Sequence, residues 1–137
     1  MRKFYFDTSI WLDLFENRDE PNLLKGTWAR KLITKIISKD DKVVYSDLTL
    51  TELNDAGYSE YDIEELLKPL GKILIFLETT DKQLGKGTDL SAKRDVPKGD
   101  AIHALIARDS GADLVSLDKH FDLLSDIIKR YSSRELV

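Results

Sequence analysis

The chain has 137 residues, enough for a single domain over 1–137 with one sizeable core and too few for two. Its 42% hydrophobic and 34% charged residues are ordinary for a soluble globular protein, and the absence of cysteine excludes disulfides and thiolate metal sites. The net charge of −4, from 21 Lys and Arg against 25 Asp and Glu, leaves two options: nucleic acid is not the partner, or acids gathered in one place mask a basic rim.

Taken in order, Phe4, Tyr5 and Phe6 form a short aromatic run suited to a buried strand, and Asp7 stands where that strand should end. Thr8 and Ser9 can cap a helix whose apolar face carries Ile10, Leu14 and Phe15. Asp7 can serve as that helix's cap and nothing more, or as a functional acid at a strand end. Asn17–Gly26 reads as a loop and Thr27–Ser38 as an amphipathic helix. Val43–Tyr45 is a short strand. Ser46 caps a helix over Leu48–Asp55 that carries Glu52, and Ser59 with Asp62 opens another over Glu60–Leu70.

Lys72–Leu77 is the clearest buried strand. Thr80–Arg94 has helical spacing at Leu84, Leu90 and Ala92, weakened by Gly85 and Gly87. Pro97 introduces a strong helix over Lys98–Ser110, and Asp113–Leu117 is a strand that runs into Asp118. Ile127 and Ile128 are expected to close a helix, and Arg134–Val137 to form a last short edge strand. The alternation predicts an α/β fold: a three-layer α/β/α sandwich around a central, mostly parallel sheet. No apolar run approaches the length of a membrane span, and the N-terminus has no long apolar region before its first acid. A cytoplasmic protein without a membrane partner is the expectation.

Asp7, Glu52, Asp100 and Asp118 all sit at strand ends or on helices beside them. In doubly wound sheets such positions converge on one edge. Four carboxylates together repel unless cations neutralise them, and hard divalent ions prefer this all-oxygen set. Zinc lacks ligands here, with only His103 and His120 as imidazoles. The bland alternative is four unrelated caps and surface charges.

The segment PKGDAIHALIARDSGADLVSLDKHF, Pro97–Phe121, resembles the signature half of PIN-domain proteins, metal-dependent ribonucleases that include the VapC toxins of toxin–antitoxin pairs. FDTSIWL is similar to that family's first motif and LTLTELN to its second, and the resemblance covers nearly the whole chain. It implies that Asp7, Glu52, Asp100 and Asp118 are catalytic metal ligands for Mg²⁺ or Mn²⁺, as one or two ions, in hydrolysis of an RNA phosphodiester. It places Ser116 where it would orient Asp118 or the attacking water, with Thr8 and Ser9 supporting Asp7. Leu117 stands where many members have Asn. An antitoxin partner and a homodimer follow from the same likeness.

Lys93, Arg94, Lys98, His103, Lys119 and His120 are candidates for holding RNA. For the first three a solvated face is an equal alternative, and for His103 a partly exposed packing or supporting role is the stronger one. Trp11 and Trp28 read as core or subunit interface. A haloacid-dehalogenase phosphatase would need a second Asp where Ser9 stands, and a receiver domain would need an acidic pair that is absent. The remaining competitor is a non-catalytic PIN-like module that binds RNA or protein.

Overall fold

Alternation along a strand sends successive side chains to opposite faces, and the aromatic run at the N-terminus shows the consequence. Phe4 and Phe6 pack into one hydrophobic cluster with Ile10, Trp11, Leu32 and Ile36, while Tyr5 joins another with Leu90, Ile102, Leu105 and Phe121. A buried strand with a core on each side is the middle layer of a three-layer sandwich. The computed structural model describes all 137 residues, Met1–Val137.

The elements run β1 (Lys3–Phe6), α1 (Thr8–Glu16), β2 (Asp19–Glu20), β3 (Leu23–Leu24), α2 (Lys25–Ser38), β4 (Lys42–Ser46), α3 (Asp47–Asp55) and α4 (Glu60–Leu67). They continue through a 3₁₀ turn (Lys68–Ile73), β5 (Leu74–Leu77), α5 (Asp81–Arg94), α6 (Lys98–Asp109), β6 (Asp113–Val115), a 3₁₀ turn (Lys119–Leu124) and β7 (Arg130–Tyr131). The main sheet has the order β5-β4-β1-β6-β7, and every pairing in it is parallel. Helices α1, α2, α3 and α4 contribute to the core on one face, and α5 and α6 to the core on the other. Strand β1 is central. The chain builds outward from it through β4 to β5, then returns to its other side with β6. That reversal is the switch point at which open α/β sheets place ligands.

Several expectations change. Lys72–Leu77 is not a fully buried strand: β5 is shorter, lies at the sheet edge, and leaves Phe76 42% exposed. The apolar run reports one covered face, not two. The Asn17–Gly26 loop contains a small antiparallel hairpin of β2 with β3, and α2 starts earlier, at Lys25. Helix α4 ends at Leu67, because Pro69 turns the chain into a 3₁₀ segment. Ile127 and Ile128 close no helix, since both backbone N–H groups donate to Leu124 in a turn after a 3₁₀ segment. The final edge strand is Arg130–Tyr131, not Arg134–Val137.

Thr80–Arg94 is helical despite its glycines. Thr80 and Gln83 cap it reciprocally: Thr80 Oγ1 accepts from the Gln83 N–H at 3.1 Å, and Gln83 Oε1 from the Thr80 N–H at 2.9 Å. Gly87 has a packing role, because a Cβ there would stand 2.6 Å from Ile102 Cγ1. The glycine that weakens the helix in sequence lets α5 lie against α6. Trp11 is wholly buried, stacked at a tilt between Phe6 and Phe15, so it is core and not a subunit surface.

Candidate functional site

Asp7 follows β1 directly and caps α1. Its Oδ1 accepts from the Ile10 N–H at 3.2 Å and from Ser9 Oγ at 2.6 Å, and its Oδ2 accepts from Ser116 Oγ at 2.7 Å. The capping reading is therefore true, and it does not exhaust the residue. Burial pushes the Asp7 carboxyl above the ordinary carboxylate range, while Ser9, Ser116 and the Ile10 N–H pull the other way.

Ser116 lies just past β6, fully buried, with Oγ donating to Asp7 while accepting from the Asp118 N–H at 2.9 Å. It thus spans the first and fourth acids, touching the side chain of Asp7 and only the backbone of Asp118. Asp118 Oδ1 accepts from the His120 N–H at 2.8 Å, and His120 Nδ1 lies 3.2 Å from the same oxygen. Ligand atoms of Asp100, Asp118 and His120 all fall within 4.8 Å of one another.

Asp100 projects from the first turn of α6, introduced by Pro97. Its pKa is pushed up to about 6, first by burial and then by the charges of Asp118 and Asp7, with Glu52 adding and His103 opposing. Asp100 thus feels the charges of Asp118, Asp7 and Glu52, which come from three other parts of the fold. No Lys or Arg is among the groups that most perturb Asp100.

Glu52 sits on α3, half-buried, beside the start of α6. Its Oε1 accepts from Thr8 Oγ1 at 2.5 Å and lies 2.6 Å from His103 Nε2. Burial alone would raise its pKa, but His103 and Thr8 more than offset that and hold the carboxyl below its ordinary value. Thr8 therefore supports Glu52, not Asp7 as the sequence suggested. Only 1% of His103 is exposed, and its other nitrogen, Nδ1, lies 2.6 Å from the Tyr5 hydroxyl. Both ring nitrogens are occupied, which takes His103 out of the candidates for RNA contact and corrects the expectation that it is partly exposed. Burial also raises the pKa of Tyr5, keeping it a phenol.

The basic candidates divide. Arg94 is held in a two-point ion pair with Asp126. Lys93 and Lys98 are exposed at the end of α5 and the start of α6, and Lys119 is exposed beside Asp118. A cleft of about 690 Å³ opens beside Asp118, and Arg18, Lys25, Lys119, Arg130 and Arg134 contribute to its lining. Four of these five have no counterpart among the sequence candidates, because they lie outside the motifs and meet only in the folded chain. Arg134 stacks over Trp28 at 5.4 Å from the ring centroid. Buried Asp13 lines the same cleft, its pKa pushed up to about 6 by burial against the pull of Lys25 and Arg18.

The donor set is all carboxylate with one adjacent imidazole, which fits a hard divalent cation. No helix is long and apolar enough to cross a membrane. No curated protein matches the chain in sequence. Among solved structures it is similar to VapBC-1 from nontypeable Haemophilus influenzae, at 22% identity and a TM-score of 0.67 over 96% of this chain and 98% of that one. It is also similar to VapBC2 from Rickettsia felis, solved with a DNA fragment from its promoter, at 14% identity and a TM-score of 0.66 over 95% and 98%. PAE2754 from Pyrobaculum aerophilum aligns at 22% identity and a TM-score of 0.63 over 98% and 86%. These likenesses share the fold. The PIN domain family model matches residues 4–127, a span that holds all four acids and strand order β5-β4-β1-β6 of the sheet, and the chain belongs to the PIN-domain family.

Proposed function

We propose that this chain is a single nuclease domain, an endoribonuclease dependent on Mg²⁺ or Mn²⁺, and the toxin of a toxin–antitoxin pair. The observation that carries the reading is the acidic group around Asp100, whose ligand atoms lie within 4.8 Å of those of Asp118 and His120 and whose pKa is pushed up to about 6 by burial and the charges of Asp118, Asp7 and Glu52. Such a group stores repulsion that a divalent cation relieves. PIN domains are typically metal-dependent nucleases, and the family uses divalent metal.

The four acids would hold one or two ions. When bound, the metal supplies Lewis-acid polarisation of the phosphodiester and a water acidic enough to act as nucleophile near neutral pH. The chain's own residues do the rest. Ser9 and Ser116 fix both oxygens of Asp7. Thr8 and His103 keep Glu52 ionised. The cleft beside Asp118 offers Arg18, Lys119 and Arg134 to flanking phosphates. Surface ion pairs such as Arg18 with Glu16 contribute little, so such side chains can change partner at small cost. This basic rim beside the acids answers the net charge of −4. The partners we propose are an RNA substrate, an antitoxin protein and a second copy of the chain.

Incubating the purified chain with mixed RNA, with and without Mg²⁺ or Mn²⁺, tests the reading. Metal-dependent fragments that disappear with Asp7→Asn are expected. Cleavage undiminished in chelator, or equal in Asp7→Asn, rejects it.

A further inference from the structure

Glu52 differs from the other three acids in reach and footing. It is longer, and it springs from the body of α3 instead of from a strand end or a first helical turn. A free glutamate in that place samples many rotamers, and ordering it costs entropy. Two contacts remove that freedom, and a glycine leaves it room. His103 and Thr8, from α6 and α1, both hold Oε1. On the other side, a Cβ at Gly99 would stand 2.7 Å from Oε2. The missing side chain at residue 99 is the space Oε2 occupies.

His103 is itself held. Its Nδ1 lies 2.6 Å from the Tyr5 hydroxyl, and that hydroxyl lies 2.8 Å from Ser46 Oγ. Ser46 is the N-cap of α3, the helix that carries Glu52. The circuit Ser46–Tyr5–His103–Glu52 therefore closes on its own helix after crossing β1 and α6. One donor order satisfies the whole circuit: Ser46 Oγ–H to Tyr5, Tyr5 Oη–H to Nδ1, and Nε2–H to Oε1. Oε1 has its two partners already, His103 Nε2 and Thr8 Oγ1.

On the reading of the site as a metal-dependent nuclease centre, we propose that His103, backed by Tyr5 and given room by Gly99, is a positioning residue that commits Glu52 to ligate the ion through Oε2. Its effect is on the geometry of a ligand, without contact to RNA or metal.

The test is calorimetric binding of Mn²⁺ alone to the full chain, with melting temperature recorded for each variant. His103→Ala should weaken Mn²⁺ about 10–100-fold, the usual cost of losing a residue that orients a ligand. His103→Gln, whose amide keeps an N–H near Oε1, should recover most of that affinity. Gly99→Ala should weaken Mn²⁺ while its melting temperature holds or rises, because alanine favours the helix and no polar group is lost. A merely structural role would move affinity and stability together. In His103→Ala/Gly99→Ala the second change should cost almost nothing further, because the carboxylate is already free to move. If His103→Ala fails to fold, Gly99→Ala alone decides. Both single variants binding Mn²⁺ within about twofold of wild type, while Asp100→Asn abolishes binding, overturns the positioning role and leaves the metal reading standing. Wild type giving no Mn²⁺ heat at all overturns both.

Discussion

Neutralising Asp100 should stabilise this protein in the absence of metal, against the usual direction for a polar substitution in a first helical turn. The Asp100 carboxyl rises from 3.8 to about 6 on folding, by burial first and then by repulsion from Asp118 and Asp7. At 1.36 kcal/mol per unit that shift corresponds to about 3 kcal/mol, reduced to about 1–2 kcal/mol because the group is half-exposed and screened. Asn in its place gives up a favourable helix-dipole interaction of about 0.3–1 kcal/mol. The net is a gain of about 1 kcal/mol, or roughly 3–4 °C in melting temperature for a domain of this size. The sign with pH follows from the raised value. Wild type keeps its full stability contribution from this group below pH 3.8 and loses it as pH rises through about 6. The advantage of Asp100→Asn in chelator should therefore be largest above pH 7 and vanish below pH 4. In saturating Mg²⁺ the order reverses: at a hundred times the dissociation constant wild type gains about 2.7 kcal/mol, and the variant much less. Thermal melts of both proteins in chelator and in Mg²⁺, at three pH values, provide the assay. A lower melting temperature for the variant in chelator at pH 7.5, with no response of wild type to Mg²⁺, would show Asp100 to be only a helix-terminal charge.

Asp13→Asn should also stabilise above pH 7 and lose that effect in acid, since burial pushes Asp13 up to about 6 on a cleft wall that holds no partner within hydrogen-bond distance; parallel melts against wild type check it. Arg18→Ala with Arg134→Ala should weaken RNA binding uniformly across sequences and flatten the salt dependence by about one unit of slope per lost phosphate contact, whereas an unchanged slope in filter binding removes the cleft as the RNA path. Leu105→Ala, at a fully buried position of α6, should cost about 2–5 kcal/mol in urea unfolding through the cavity it leaves. Light scattering of the proposed homodimer should give twice 15.7 kDa, and a lone 15.7 kDa species at micromolar concentration ends that proposal.

What the amino-acid sequence determined by itself was local. Aromatic and β-branched runs marked β1 and β4, the Ser46 and Ser59 caps marked α3 and α4, and Pro97 marked the start of α6, because strand propensity, capping and proline geometry act between near neighbours. The alternation of those elements gave the fold class, and the PIN-like motifs agreed with it. Everything that depends on which face meets which was settled by the tertiary structure. The apolar run of β5 looked the most buried, yet its place at the sheet edge leaves Phe76 exposed. Gly87 looked like a helix breaker, and its worth lies in contact with Ile102 fifteen positions away. Thr8 is adjacent to Asp7 but bonds Glu52, because α1 turns its first residue toward α3. His103, expected to be partly exposed in a packing or supporting role, is buried because β1 sends Tyr5 to the same face of the sheet as α6. Arg18, Lys25, Arg130 and Arg134 meet in one cleft from distant parts of the chain. Pairings over such separations depend on the packing of whole layers, which no single segment encodes.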